Sequence, residues 1–376
     1  MIASAGHAAR ILAAIACVTM LGACGAPVPQ PGEQVASPVT MIPLPDLPQI
    51  LPRMDCAQLA AMDFTRNAAA RTAIESATIE PATAGRAEFC LVKGRVAPQI
   101  GFELRLPTSG YTGRYLQGGC GGNCGSIGSS LAPACTNQHA FSGAFAVGFN
   151  DAGHSGAALD ALWATNRGLL EDFAHRGPYA ASVAAKAIVT AFYGEAPRHS
   201  YFDGCSNGGR EALQMVQRYP EAFDGVIAGA SAYTMLEKVE RYLWENKYGF
   251  DGQGELVFTP QAGELLHRAV MESCDGKDGL VDGQIDDPRR CDYDPARLQC
   301  QSGESGSDCL TAMQVQTARA FYDGPRTADG KRLFQGGEPY GAELTWGTRS
   351  AFAYAGRPAA EGFVRYFLPD GAAIPD

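Results

Sequence analysis

Tyr201-Phe202-Asp203-Gly204-Cys205-Ser206-Asn207-Gly208-Gly209-Arg210 is the stretch from which the fold is read. It contains Gly204-x-Ser206-x-Gly208, a G-x-S-x-G pattern. In a chain with 45 glycines the bare pattern carries little weight, so its surroundings decide. His199 to Phe202, just before it, has the character of a strand. Gly208 to Tyr219, just after it, reads as a helix with Ala212, Met215 and Val216 on one face. A serine between a strand and a helix is the setting of a nucleophile elbow. The backbone turns so sharply there that a Cβ on either flank would clash, and the serine hydroxyl is lifted to the top of the sheet. Ser206 is therefore the candidate nucleophile.

Working outward, Phe89 to Val96 and Ile100 to Pro107 read as strands joined by a short turn. Arg114 to Gln117, Phe145 to Asn150 and Gly225 to Ala228 are further strands. A helix begins at Pro178, a favoured first helical position, and stops at Gly194, a natural C-cap. Strands alternating with helices indicate an α/β protein with a mainly parallel sheet. Gly118-Gly119-Cys120-Gly121-Gly122 follows the strand that ends near Gln117. Such a loop brings backbone N–H groups close to a substrate carbonyl. Gly119, Cys120 and Gly121 are thus candidate oxyanion donors beside the N–H of Asn207, which follows the nucleophile.

The chain has 376 residues and a net charge of −10, which disfavours nucleic acid as a partner. Twelve cysteines suggest an oxidising compartment or a metal site. Residues 1–24 read as an export signal, with Arg10, an apolar run from Ile11 to Leu21, and small residues before Cys24. Leu21-Gly22-Ala23-Cys24 resembles a bacterial lipobox, in which Cys24 would be lipidated. An ordinary signal peptide is the alternative. The expected location is periplasmic, on the outer membrane as a lipoprotein, or extracellular, with a lipid at the N-terminus as the only membrane contact. Residues 25–53 are crowded with prolines and read as an extended linker.

Tyr201 to Arg210, continuing to Arg218-Tyr219-Pro220-Glu221-Ala222-Phe223-Asp224-Gly225, resembles the tannase and feruloyl esterase family of α/β-hydrolases. Cys205 directly before the serine is that family's mark. Asp151-Ala152-Gly153-His154 and Val183-Ala184-Ala185-Lys186 are similar too. The resemblance implies a hydrolase core over residues 54–230 and an inserted lid domain over 231–376, both incomplete at the C-terminus. It implies esters of phenolic acids as substrates. Cys274-Asp275-Gly276-Lys277-Asp278-Gly279-Leu280-Val281-Asp282-Gly283-Gln284-Ile285 packs carboxylates and glycines into a tight loop of hard oxygen ligands, as Ca²⁺ requires. By resemblance, Asp275, Asp278 and Asp282 bind a structural Ca²⁺ through side chains, and Leu280 and Gln284 through carbonyls. The resemblance also pairs Cys56 with Cys90, Cys274 with Cys291, and Cys300 with Cys309. Cys120, Cys124 and Cys135 offer one more bridge, whose members stay open.

One requirement is unmet. A serine hydrolase needs a general base and an orienting carboxylate, in chain order Ser, Asp or Glu, His. After Ser206 only His267 remains, within an amphipathic helix from Gln261 to Ser273, which suits a base poorly. His154 and His175 precede the elbow. In the family the acid and the histidine come later, and a cysteine beside that histidine pairs with the one before the serine. Cys205 is then expected to be unpaired, and a C-terminal segment to be missing. Two functions follow: a serine carboxylic ester hydrolase whose present chain is inactive alone, or a non-catalytic, calcium-stabilised surface lipoprotein that binds aromatic ligands.

Overall fold

The structure is a computed structural model that describes residues 47–66, 70–127, 141–157, 159–301, 308–348 and 351–368. The export signal with Cys24, most of the proline-rich stretch, and Cys135 lie outside these residues. The end of that stretch is held on the body: Ile50 N–H donates to Tyr111 O, and Arg53 N–H to Phe192 O, both at 2.7 Å.

Seven strands form one sheet: β1 (Thr72–Glu80), β2 (Phe89–Val96), β3 (Ile100–Pro107), β4 (Arg114–Gly118), β5 (Phe145–Asn150), β6 (His199–Cys205) and β7 (Gly225–Gly229). Their spatial order is β1-β2-β3-β5-β4-β6-β7. The sheet is mixed, not mainly parallel as the alternation suggested. β1 to β3 and the β3–β5 pair are antiparallel, while β5, β4, β6 and β7 run parallel. Connection length explains this. Only residues 97–99 separate Val96 from its partner Ile100, and so short a link permits only a hairpin. β5 reaches β6, by contrast, through α1 (Arg167–Glu171), a π turn at Asp172–Arg176, and α2 (Gly177–Tyr193). The helix that begins by sequence at Pro178 therefore has a longer helical lead. It stops at Gly194 in the left-handed conformation, φ 81°. Strand β1 escapes a sequence reading because a bulge between Ile74 and Ser76 breaks its alternation.

α3 (Asn207–Arg218) follows β6 and packs Ala212 and Met215 against Phe202. The main core joins β2, β3 and α2 through Val92, Phe102, Leu104, Ile188 and Phe192, all at most 2% exposed. A second core lies in the helices after the sheet: α4 (Met235–Gly249), α5 (Pro260–Cys274) and α6 (Ala312–Asp323). Leu266, Val270, Leu310 and Ala318 are fully buried there. α7 (Ala351–Tyr366) is followed by Phe367, whose ring meets Trp163 at 5.2 Å and Phe173 at 5.5 Å. No helix among the described residues is long and apolar enough to cross a membrane.

Truncating Leu104 leaves a cavity in the main core. Leu104→Ala is expected to lower the unfolding free energy by about 3 kcal/mol, read as a fall in the urea midpoint at unchanged m-value.

Candidate active site

Ser206 stands between β6 and α3 at φ 61°, ψ −117°. A side-chain-bearing residue at positive φ costs on the order of 1–3 kcal/mol and persists only where its surroundings hold it. Three hydrogen bonds do so: Ser206 N–H donates to Gly229 O at 3.0 Å, and Ser206 O accepts from Arg210 N–H (3.1 Å) and Ala232 N–H (3.0 Å). The flanking glycines are required by space. A Cβ on Gly204 would fall 2.1 Å from Gly208 O, and one on Gly208 would fall 3.2 Å from the backbone of Gly119.

The serine opens on a cleft of about 670 Å³ lined by Cys205, Ala230 to Ala232, and Glu237, Lys238, Arg241 and Tyr242 from α4. Phe334 to Gly337 close its far side. Burial, with Arg210 nearby, pushes the Lys238 ammonium below its ordinary value.

The oxyanion donors narrow. Gly119 N–H is committed to Asp203 O at 2.9 Å, and Cys120 N–H to Glu211 Oε2 at 3.0 Å. Gly119 and Cys120 are thus corrected from donors to spacer and anchor. Their amides already hold the loop against the sheet and the helix. Gly121 N–H and Asn207 N–H remain as candidates. The Asn207 N–H lies in the first turn of α3, where no preceding turn can accept it.

The loop is closed by a Cys120–Cys124 disulfide, which resolves the open choice among three cysteines. Asn207 Nδ2 lies 3.2 Å from Cys124 Sγ, and Arg210 Nε donates to Asn207 Oδ1 at 2.8 Å. Arg210 also donates to Phe173 O and Ala174 O. Asp224 Oδ2 accepts from Ser200 N–H, so Arg210 and Asp224 each serve a local structural role. Bridges also join Cys56–Cys90, Cys274–Cys291 and Cys300–Cys309, and among the described residues Cys205 is free.

Sequence reasoning missed Glu211. It is fully buried one turn beyond the elbow, with Oε1 2.9 Å from Cys120 Sγ. Bonded sulfurs carry no proton, so any proton in that contact belongs to the carboxyl. Burial pushes the Glu211 carboxyl up to about 7, with Arg210 and the Cys120 N–H pulling the other way. The signal was its place four residues before Met215, on the inward face of the helix.

Residues 84–357 match the family described as tannase and feruloyl esterase. The chain belongs to this family. It is 36% identical over 312 residues to an uncharacterized esterase of Xanthomonas campestris pv. campestris, covering 78% of this chain and 51% of that protein. It is 33% identical over 296 residues to the mono(2-hydroxyethyl) terephthalate hydrolase of Piscinibacter sakaiensis, covering 68% and 49%. The fold superposes on the crystal structure of feruloyl esterase B from Aspergillus oryzae with a TM-score of 0.69 at 25% identity, covering 85% of this chain and 67% of that one. The chain spans about half the length of the curated relatives it matches.

Within this family member the described histidines stand away from the cleft. His154 stacks on Trp163 at 3.7 Å and bonds Asn123 O. His175 bonds the Tyr219 hydroxyl. His199 opens β6, at the end of the strand opposite the serine. His267 bonds buried Glu343 at 2.9 Å in the helical core, where Tyr322 donates to the same carboxylate. In the acidic loop, Asp275 accepts from Asp282 N–H and Gly283 N–H, Asp278 from Leu280 N–H, and Asp282 from Gln284 N–H. The carboxylates shape the turn that carries them.

A carboxyl with a raised folded pKa contributes stability that is full below about 4.5 and lost as pH rises through about 7. Glu211→Gln keeps an acceptor for Cys120 N–H and removes this loss. The variant's stability relative to the parent should therefore rise from pH 5 to pH 8, by up to about 3 kcal/mol, in chemical denaturation at each pH.

Proposed function

We propose that the chain carries the nucleophile, the oxyanion loop and part of the substrate cleft of a serine carboxylic ester hydrolase that acts on esters of aromatic acids. One observation carries the reading: a serine held at positive φ at the mouth of a 670 Å³ cleft, in a chain of the tannase and feruloyl esterase family. Ser206 Oγ attacks the ester carbonyl. The N–H groups of Gly121 and Asn207 stabilise the oxyanion, the alcohol leaves, and water hydrolyses the acyl-enzyme. Aromatic esters are the substrate class because the relatives include a feruloyl esterase and a mono(2-hydroxyethyl) terephthalate hydrolase.

The same reading assigns the general base and its orienting acid to chain outside the described residues. It rests on the four histidine positions above and on β7, whose outer edge pairs with no described strand and whose Ile227 is 58% exposed. The present residues alone should then turn over esters slowly or not at all. We further propose that Asp275, Asp278 and Asp282, with the carbonyls of Leu280 and Gln284, hold a structural Ca²⁺. The donor set consists of hard oxygens on a sharply turning loop stapled by Cys274–Cys291. Export with lipid on Cys24 completes the proposal.

A fluorophosphonate probe should label Ser206 once a base is supplied, and Ser206→Ala should abolish labelling and methyl ferulate hydrolysis. A serine that stays unreactive when a base is supplied to the folded chain would favour an aromatic-binding role instead. For the loop, chelation by EGTA should lower the melting temperature by several degrees, as loss of a saturating ligand worth about 2–3 kcal/mol does. Asp278→Ala should make the melting temperature insensitive to EGTA, and an unchanged EGTA response would count against Ca²⁺.

A further inference from the structure

A second cavity, of about 290 Å³, lies among α4, α6 and the loops around residues 250–258 and 338–346. Arg241 is its one lining residue in common with the cleft at Ser206. Its walls are aromatic. Trp346 is 8% exposed and meets two rings edge-on, Phe258 at 5.4 Å and Phe321 at 5.1 Å, with Phe250 and Leu256 beside them.

At one end sit two carboxyl groups and one guanidinium. Arg241 Nε lies 2.5 Å from Glu245 Oε1, and Arg241 Nη2 bonds Glu338. The two carboxyl side chains are only 15% and 13% exposed, and they are hydrogen-bonded to each other. That hydrogen bond needs a proton on one carboxyl; when both are ionised, the single guanidinium of Arg241 leaves one negative charge unmatched within this group. Burial, then the hydrogen bond to Glu338, pushes the Glu245 carboxyl up to about 7, so a proton tends to fill that place. A ligand cation would fill it equally well. Aromatic faces attract organic cations, and a volume near 300 Å³ suits a small ligand.

We propose that this cavity is a binding site for a small aryl-alkyl ammonium ion, its ring packed against Phe258, Phe321 and Trp346 and its nitrogen on the Glu245–Glu338 pair. The site is independent of the esterase reading. Isothermal titration of the whole chain with phenethylammonium tests it, with uncharged 2-phenylethanol as the comparison. The expected result is saturable one-to-one binding, at least tenfold weaker for the alcohol. Glu245→Gln should weaken ammonium binding at least tenfold. Leu256→Trp, which adds bulk at the cavity wall and keeps the charged groups, should do the same and covers the case in which Glu245→Gln fails to fold. Ser206→Ala should leave the affinity unchanged. No saturable binding by the folded protein, equal binding of the alcohol, unchanged affinity in the folded cavity variants, or loss of binding in Ser206→Ala would each overturn the proposal. None of these outcomes bears on labelling of Ser206, which tests the esterase reading separately.

Discussion

The backbone of Gly119 lies directly against the backbone of Gly208, with no side chain between them. A Cβ on Gly119 would stand 2.6 Å from Gly208 Cα, and one on Gly208 would stand 3.2 Å from Gly119 Cα. This approach lets the loop after β4 reach the first turn of α3, next to the elbow that carries Ser206. β4 and β6 are adjacent and parallel, with Gly118 paired to Asp203, and the Gly119 N–H to Asp203 O bond extends that ladder by one step. The elbow and the glycine-rich loop are two ends of neighbouring strands, held at sheet spacing.

Around that contact the protein buries charge. Arg210, 6% exposed, spends its guanidinium on Asn207, Phe173 O and Ala174 O and lies over the Phe173 ring at 4.4 Å. Glu211, next to it, holds Cys120 N–H. Buried ionisable groups cost stability unless they are bonded, and they fix geometry in return. Here both tie α3 to its surroundings on either side of the serine: Arg210 to the π turn before α2, Glu211 to the bridged loop. The helical part solves a similar problem with Glu343, which accepts from Tyr322 and Gly341 N–H and bonds His267. His267, the histidine after the elbow, is thereby engaged within the helical core.

Much of the architecture was legible beforehand because its signals are local. The run from His199 to Arg218 reads as strand, elbow and helix by periodicity and glycine placement, and most other strand limits differ from the structure by only a residue or so. The close approach of the loop at 118–122 to α3 was legible because glycine marks close approach. Which of its amides is free was not, since Asp203 O and Glu211 Oε2 reach Gly119 and Cys120 only after β4, β6 and α3 are assembled. The partner of Cys120 was equally illegible: it is four residues away, and Cys124 and Cys135 competed for it.

The sequence by itself determined the α/β class, the strained serine, the cysteine pairs that its family resemblance implied, and the unsuitability of His267. Each depends on neighbours within a turn or two, or on a motif carried intact in the chain. Only the tertiary structure decided the mixed direction of the sheet, the commitment of the Gly119 and Cys120 amides, the burial of Glu211, and the meeting of Arg241, Glu245 and Glu338 at an aromatic cavity. Glu338 is far from α4 in sequence. Which buried charges share one low-dielectric space is set by how the helices pack, and no local periodicity records that.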